Sequence, residues 1–342
     1  MRKYFVGLDV HWAHTNMCIL DGRGKKVKEV KRRGPWSVIV EELGKLRGNV
    51  AVCYEASCGY GHLYDRLRSV AERVVVAHPG RLRLIFRSKR KNDRVDAQKL
   101  AKLLFLDEVP SVYVPSQAVR AWRQLIEYRT RLINKRARAK NSCRALLRSL
   151  GIQAPRDFGL WTRRGISWLR SVELPDSMHA LRRDMLVEEI EMFNAQVGRA
   201  EEELKRYSQH NPAVVLLRTI PGVGLRTAEA VVAYLDDPDR FRGIKSVGAY
   251  LGLVPCQDQT GQANRLGHIT REGPATVRRM LCEAAWQGIR RSPEIRGYFD
   301  RIQQGNPERR KIALVATAHY LARVMYAMLR SGECWRELAD AA

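Results

Sequence analysis

The 342-residue sequence has few acidic residues, no C-x-x-C pair and no long apolar run. Asp and Glu number 36 against 61 Lys and Arg, a formal net charge of +25 that is typical of proteins binding a polyanion. None of the seven cysteines forms a C-x-x-C pair, which argues against a zinc knuckle and a disulfide framework. No apolar run approaches the ~18–20 residues of a membrane span, and Asp9 and His11 interrupt any signal-like core. We therefore expect a folded cytoplasmic protein that meets nucleic acid and no membrane.

The first hundred residues alternate short apolar segments with helical patterns, which indicates an α/β domain with a mixed sheet. Turn residues at 21–24 separate two of these segments, and the run VAVCYE has the composition of a buried strand. The predicted strands are residues 4–9, 15–20, 26–32, 50–55 and 74–77.

Two long helices are predicted downstream. Between Arg120 and Arg148 apolar residues recur every seven positions among ten basic residues and one acid, Glu127. After Pro175 apolar residues alternate steps of four and three, which is a coiled-coil seam, and acidic residues occupy the other faces. An antiparallel pair, a subunit contact and a plain helical spacer are all compatible with this pattern. The predicted seam is Leu186, Ile190, Phe193, Val197, Ala200, Leu204 and Tyr207.

Four carboxylates occupy positions suited to a metal site. Asp9 ends the first predicted strand and Glu55 ends a later one, whereas Asp93 and Asp96 share one face of a helix that starts near residue 93. Helix capping explains Asp93 but leaves Asp96, on the apolar side of that helix, unexplained. Such a hard-oxygen pocket suits Mg²⁺, and two ions about 3.5–4 Å apart can clamp the oxygens of a phosphodiester. Basic residues beside the pocket are predicted to hold the nucleic-acid backbone, namely Arg87, Lys89, Arg90, Lys91 and Arg94.

These residues carry a resemblance. The contexts GLDVH, CYEAS and KNDRVDAQKLAKLL resemble the DEDD, RuvC-like (ribonuclease-H-type) domain of bacterial insertion-sequence transposases related to the Piv invertase, over residues 4–110. The string K-x-D-x-x-D-A-x-x-L-A is the most specific part of the match. The resemblance implies that Asp9, Glu55, Asp93 and Asp96 are catalytic ligands of Mg²⁺.

The second half contains the segment LLRTIPGVGLRTAEAVVAYL, which has the form of a helix-hairpin-helix. Gly222 and Gly224 lie in its hairpin, where exposed backbone N–H groups suit a phosphate, and Thr227 is predicted to cap the second helix. A tight helix–helix turn with no ligand is the alternative. The next segment, from residue 250, is predicted to be a loop punctuated by Gly and Pro, followed by a basic helix from about residue 275.

This later segment, with GLVP and R-x-G-x-I-T-R-x-G, resembles the C-terminal transposase domain of the same family over residues 213–290. The family places a serine nucleophile before a glycine, and this chain has Thr260 before Gly261. Threonine keeps the hydroxyl, although its β-methyl group crowds the approach to phosphorus. Ser246, the other candidate, better matches a helix-capping position. Backbone contacts are predicted for Arg265 and Arg271 here, and for Arg129, Arg136 and Lys140 on the basic helix.

The resulting prediction is a DNA recombinase or transposase of an insertion element, with three parts. Residues 1–112 form the RuvC-like α/β domain, 113–210 the coiled-coil helices, and 211–342 a mainly α-helical domain with the helix-hairpin-helix. The resemblance implies target and donor DNA, a guide RNA encoded by the element, a homo-oligomer (dimer or tetramer) and a nucleoid location in a bacterial cytoplasm. The alternatives are a junction-resolving nuclease without a covalent intermediate and a non-catalytic nucleic-acid-binding regulator.

Overall fold

The computed structural model describes residues 2–85, 93–260 and 263–336, except the side chains of 263 and 264. The chain divides into two compact units, residues 1–120 and 121–342, and the predicted three-part division stays a prediction. The strands are β1 (Lys3–Val10), β2 (His14–Asp21), β3 (Lys26–Arg33), β4 (Asn49–Glu55), β5 (Arg73–Ala77), β6 (Pro255–Thr260) and β7 (Ala263–Ile269). The helices are α1 (Ser37–Gly44), α2 (Tyr60–Leu67), α3 (Pro79–Ile85), α4 (Asp93–Phe105), α5 (Gln117–Ser149), α6 (Arg163–Ser171), α7 (Ser177–Ser208), α8 (Pro212–Leu217), α9 (Leu225–Leu235), α10 (Ile244–Tyr250), α11 (Ala275–Arg291), α12 (Pro293–Gln303) and α13 (Arg310–Ser331).

The first unit is built on a five-stranded mixed sheet in the order β3-β2-β1-β4-β5. β1 pairs antiparallel with β2, which pairs antiparallel with β3, and β1 pairs parallel with β4, which pairs parallel with β5. The five predicted strands and the mixed α/β class are confirmed. This arrangement places the carboxyl ends of β1, β4 and β5 at one edge of the sheet.

Helices cover both faces of this sheet. One face carries a core that includes Leu8, Ile19, Val52 and Tyr54 and packs against α1 and α2. The other face carries smaller clusters in which α4 packs on β1, β2 and β4. Successive side chains of a strand point to opposite faces of the sheet. Because helices cover both faces, both sets of side chains in β1 and β4 are buried, which explains the continuous apolar runs in the sequence.

Glu42 on α1 is a buried carboxylate held by three cations. Its oxygens lie 2.6 Å from Lys28 Nζ, 3.0 Å from Arg32 Nη2 and 3.4 Å from Lys45 Nζ, and its side chain is 5 % exposed. Hydrogen bonds from Lys28, Arg32 and Lys45 lower the pKa of Glu42 to about 2, against the opposing effect of burial. The ionised form therefore stabilises the folded unit above the ordinary pKa range of a glutamate.

We expect Glu42→Gln to lower the free energy of unfolding at pH 7 by about 2 kcal/mol, after allowance for the solvent-exposed cations. The loss should shrink as the pH falls below about 4.5 and vanish near pH 2, where wild-type Glu42 is itself protonated. Urea unfolding of wild type and variant at pH 7 and at pH 3 measures the loss of free energy and its decrease with pH. Glu41→Gln, at the exposed neighbouring position, is the control and should change stability by less than about 0.5 kcal/mol. A pH-independent loss would contradict the ionic origin.

In the second unit the long helices α5 and α7 form an antiparallel pair. Arg129 Nε lies 2.8 Å from Glu201 Oε1 and Arg136 Nη1 lies 3.0 Å from Asn194 Oδ1, so a step of seven forward on α5 matches seven backward on α7. The next such step brings Cys143 into the cluster that contains Val187. Both predicted helices are thus confirmed, and the antiparallel alternative is the one observed. Of the predicted seam, Tyr207 is 51 % exposed, and the supercoil of a coiled coil stays a prediction.

The remaining helices, α8 to α13, pack with the ends of α5 and α7 around one large apolar core. One helix of this core, α13, is long and apolar enough to cross a membrane by length and composition. Such a helix was not predicted from the sequence, because polar residues interrupt its apolar stretch. Its residues Ala318, Leu321, Ala322 and Met325 are fully buried against the neighbouring helices. The hydropathy of α13 is therefore explained by its place in this core.

Candidate active site

Asp9 and Glu55 lie on the same face and at the same edge of the sheet. In the parallel pair of β1 and β4, Leu8 is opposite Tyr54, so the next residues of the two strands are Asp9 and Glu55. Asp9 continues the row of Phe5 and Gly7, and Glu55 continues the row of Ala51 and Cys53. Both rows face α4.

A glycine decides how α4 crosses that face. A Cβ atom on Gly7 would overlap the Ala97 carbonyl oxygen and the Ala101 nitrogen, so the backbone of the helix lies directly on the backbone of β1. Gly7 is two residues before Asp9, and Ala97 follows Asp96 directly. The close approach therefore brings the first turn of α4, with Asp93 and Asp96, to the end of β1. Sequence reasoning missed Gly7, although a glycine inside a strand is a known mark of close backbone approach.

The three aspartates are electrostatically coupled. Burial raises the pKa of Asp9, the charges of Asp93 and Asp96 raise it further, and His11 opposes both effects. Asp93 and Asp96 are 40 % and 34 % exposed, and Lys99 Nζ lies 3.2 Å from Asp96 Oδ1. Glu55 is an exposed residue at the same edge. The neighbouring carboxylates thus disfavour the ionised form of Asp9, and a bound cation would offset that repulsion.

Two histidines beside the carboxylates were not predicted as site residues. His11 Nε2 lies 3.2 Å from Asp9 Oδ2, and His14 Nε2 lies 3.5 Å from Asp93 Oδ2. Their rings stack with centroids 4.7 Å apart. One ligand atom each from His11, His14 and Asp93 lie within 4.8 Å of one another, so these residues can hold a metal ion. For His11 the available signal was the spacing Asp-x-His at the end of a predicted strand, where alternate residues lie on the same side.

Asn16 is a further polar residue at this end of the sheet. It pairs with Asp9 across β1 and β2 and is 2 % exposed. Within the described part of the chain its Nδ2 atom is buried without a hydrogen-bond partner. Asn16 thus adds a buried hydrogen-bond donor beside Asp9.

Of the predicted basic flank, Arg87, Lys89, Arg90 and Lys91 lie outside the described residues. Arg94, 70 % exposed, follows Asp93, and its Nε lies 3.0 Å from Glu29 Oε1. The side of the site that the structure describes therefore carries both signs of charge.

The segment predicted as a loop from residue 250 instead contains a β-hairpin, formed by β6 and β7. All six residues of β6 are exposed, so no hydrophobic alternation marked it as a strand. Thr260 is its last residue and pairs with Ala263 across the hairpin. Arg265 and His268 on β7 are exposed as well, and Arg271 follows with a positive φ of 57°.

The two hydroxyl candidates differ in their surroundings. Thr260 is exposed at the end of β6. Ser246 lies in the first turn of α10, partly buried, and its Oγ donates a hydrogen bond to the Gly243 carbonyl at 2.6 Å. Thr260 therefore has the more accessible hydroxyl.

The glycines of the predicted helix-hairpin-helix lie between α8 and α9. Gly222 has a φ of 90°, and a Cβ atom there would overlap the backbone of Gly288 on α11. Gly224 is the N-cap of α9 and has open space around it, so the prediction that Thr227 caps this helix is wrong. Gly222 therefore packs against α11, whereas the space beside Gly224 is open.

The basic residues of α5 fall into two groups, those packed against neighbouring residues and those exposed to solvent. Arg129 and Arg136 contact α7, and Lys140 lies 5.2 Å from the ring centroid of Trp161. The predicted phosphate contacts Arg129, Arg136 and Lys140 thus lie on the packed side of the helix. The exposed basic residues are Arg131, Lys135, Arg138, Arg144 and Arg148.

Two family models match the chain. Residues 6–152 match the DEDD domain of IS110-type transposases, and residues 214–300 match a domain described as "Transposase IS116/IS110/IS902 family". Similar proteins include a probable family 20 transposase of Pseudomonas aeruginosa, 28% identical over 82% of this chain and 84% of its own length. The putative transposase y4qE of Sinorhizobium fredii is 29% identical over 96% and 82% of the two chains. The transposase for insertion sequence element IS1111A of Coxiella burnetii is 27% identical over 97% and 91%.

Proposed function

Because the chain belongs to the IS110-type family of insertion-sequence transposases, which are DNA recombination enzymes, we propose a division of labour between its residues. Asp9, Glu55, Asp93 and Asp96 hold a divalent cation, and Thr260 supplies the attacking hydroxyl. The observation that carries the proposal is the convergence of Asp9 with Asp93 and Asp96, reflected in the raised pKa of Asp9.

The donor set supports a hard divalent cation such as Mg²⁺. Carboxylate oxygens are the ligands this ion prefers, and His11 and His14 add nitrogen donors next to Asp9 and Asp93. A bound ion of this kind polarises a phosphoryl oxygen and offsets the negative charge of the substrate. Glu55, exposed at the end of β4, completes the set from the neighbouring strand.

Thr260 transfers the phosphoryl group in this proposal. Its hydroxyl gives up a proton as a new bond forms between Oγ and the phosphorus, the bond from phosphorus to one deoxyribose oxygen breaks, and that oxygen takes up a proton. The number of phosphate ester bonds is conserved, so a second strand can resolve the protein–DNA ester without an energy source. The carboxylates and Thr260 act on the same phosphodiester in a complex of two or more copies of the chain.

The DNA and RNA backbone contacts are assigned to exposed cations. Arg131, Lys135 and Arg138 lie along one side of α5, because their spacing of four and three residues matches the helix period. Arg265 and Arg271 contact the DNA backbone near Thr260. Gly224, the N-cap of α9, presents the N-terminus of that helix to a phosphate. Arg129, Arg136 and Lys140 can contact a phosphate only by giving up their present contacts with other side chains of the chain.

A guide RNA encoded by the element is proposed to supply the sequence recognition, in the bacterial cytoplasm. This follows from the family resemblance and agrees with a chain of net charge +25. In such systems the protein holds backbone and shape, and base pairing selects the target and donor DNA. The helix pair α5–α7 is the proposed bridge within the homo-oligomer.

The proposal is tested by trapping the protein–DNA ester. Purified protein is incubated with Mg²⁺, the RNA transcribed from the flanks of its gene, and target and donor DNA, then denatured and examined for covalently attached DNA. Wild type and Thr260→Ser should give an adduct, because serine keeps the hydroxyl without the β-methyl group. Thr260→Ala should give none, and Ser246→Ala is the control that keeps it.

Other outcomes would replace the proposal. Cleavage without an adduct that survives Thr260→Ala but not Asp9→Ala indicates a junction-resolving nuclease. Tight, salt-sensitive binding with neither product indicates a non-catalytic regulator.

A further inference from the structure

A cavity of about 600 Å³ opens on the first unit at the turn between β1 and β2. Its walls include Trp12, Trp36, His62 and Arg66. This volume lies within the ~300–1,000 Å³ typical of small-molecule pockets. The carboxylate site described above does not use any of these four side chains.

Trp12 is the unusual member of this cavity. It lies in the turn between β1 and β2 and is 86 % exposed, the most exposed large apolar side chain in the described part of the chain. It meets Trp36 edge-on, with ring centroids 5.9 Å apart and planes at 74°. Because so much of its side chain is exposed, Trp12 keeps an indole face open to a stacking partner.

The opposite wall is held in place. Trp36 Nε1 donates a hydrogen bond to the His11 carbonyl at 3.4 Å, and the ring of Trp36 lies against Gly59, whose φ is 77°. His62 lies 6.2 Å from Trp36 by ring centroids, and Arg66 Nε lies 3.2 Å from His62 Nε2. The cavity thus combines a fixed aromatic wall, a free aromatic face and an exposed guanidinium.

His11 connects this cavity to the carboxylates. Its carbonyl accepts from Trp36, while its ring contacts Asp9 at 3.2 Å. A cation held by Asp9 and Asp93 would bind a phosphate of the DNA strand, and through His11 the neighbouring nucleotide of that strand lies toward the cavity. Aromatic faces beside a cation are the usual platform for an unpaired base and its phosphate, because every base has a stacking face.

We propose that this cavity binds one unpaired nucleobase of the DNA strand engaged at the carboxylates. The base stacks on Trp12, and Arg66 contacts its phosphate. The inference rests on the proposed function, since it deepens the description of the same DNA site. It assigns the unpaired strand, rather than duplex, as the form of DNA held next to the scissile phosphate.

The test measures binding of the full chain to a 12-nucleotide thymidine strand and to a strand of the same length whose sugars lack bases, both in the presence of Mg²⁺. Trp12→Ala should weaken binding of the thymidine strand by at least about 5-fold and leave binding of the abasic strand unchanged. Trp12→Phe should retain most of the affinity because phenylalanine keeps a stacking face. Leu106→Ala, which removes another exposed apolar side chain of this unit, should change neither strand.

Equal effects of Trp12→Ala on both strands, or no effect, overturn the inference. A base-dependent loss confined to a uridine RNA strand also overturns it, because the occupant is then the RNA. So does a change of oligomeric state on sedimentation without a base-dependent loss, because Trp12 is then a protein contact. These readouts need no strand cleavage, so failure of the covalent-adduct assay and failure of the stacking assay are separate results.

Discussion

Replacing Asp9 by asparagine is expected to lower DNA strand cleavage roughly 1,000-fold, because a bound cation contributes several kcal/mol to the transition state and about 1.4 kcal/mol is a tenfold rate change. Asparagine keeps an oxygen that accepts from His11, which lies 3.2 Å from the carboxylate of Asp9. It loses the charge that holds the cation. The measurement is single-turnover cleavage of the DNA substrate at saturating Mg²⁺.

The same substitution is expected to leave the protein at least as stable when no divalent cation is present. Burial and the charges of Asp93 and Asp96 raise the pKa of Asp9, so the ionised side chain is less favourable in the folded than in the unfolded chain at pH 7. Mg²⁺ at ten times its dissociation constant should stabilise wild type by about 1.4 kcal/mol and the variant much less. Thermal unfolding with and without Mg²⁺ measures this difference.

Glu72→Gln is the matched control, since Glu72 is an exposed carboxylate in the same unit away from the cluster. It should keep both the cleavage rate and the stabilisation by Mg²⁺. Cleavage within a fewfold of wild type in Asp9→Asn would refute the assignment of Asp9 as a cation ligand.

Gly7→Ala is expected to cost about 3 kcal/mol of unfolding free energy and to abolish cleavage. The added methyl group would overlap backbone atoms of Ala97 and Ala101, which cannot rotate away as a flexible side chain can. The helix α4 must then move off the sheet. Because Asp93 and Asp96 form the first turn of α4, they would move away from Asp9. Urea unfolding and the cleavage assay, run on the same preparation, measure both effects.

Gly44→Ala provides the contrast within the same unit. Gly44 ends α1, and a Cβ atom there meets nothing within 4 Å. This exchange should stabilise the unit by about 0.5–1 kcal/mol, because alanine favours a helix. A Gly7→Ala protein with wild-type stability would show that α4 approaches β1 less closely than described.

The strands of the first unit were predictable because both faces of the sheet are covered. β1, β2, β4 and β5 then carry largely apolar runs, whereas the edge strand β3 is mostly charged and was recognisable from the turn residues before it. The exposed hairpin of β6 and β7 was missed for the opposite reason. Its strands pair through the backbone and β6 is exposed throughout, so no alternation of apolar and polar side chains indicates a strand there.

The candidate site was predictable in part. Asp93 and Asp96 were recognisable because carboxylates on the apolar side of a helix need an explanation. His11, His14 and Asn16 were not, because each is an ordinary polar residue until the turn between β1 and β2 folds them toward Asp93 and Asp9. On α5 the sequence predicted a basic helix but could not tell which cations α7 would cover.

The sequence alone thus determined the five strands of the first unit, the two long helices, the basic character and the set of acidic residues, because these follow from composition and local periodicity. The tertiary structure decided which of these residues meet. The contact of Gly7 with α4 joins two strand ends to a helix start, and the α5–α7 pair separates packed arginines from exposed ones. Both results depend on backbone approach between segments far apart in the chain, which no local pattern of residues encodes.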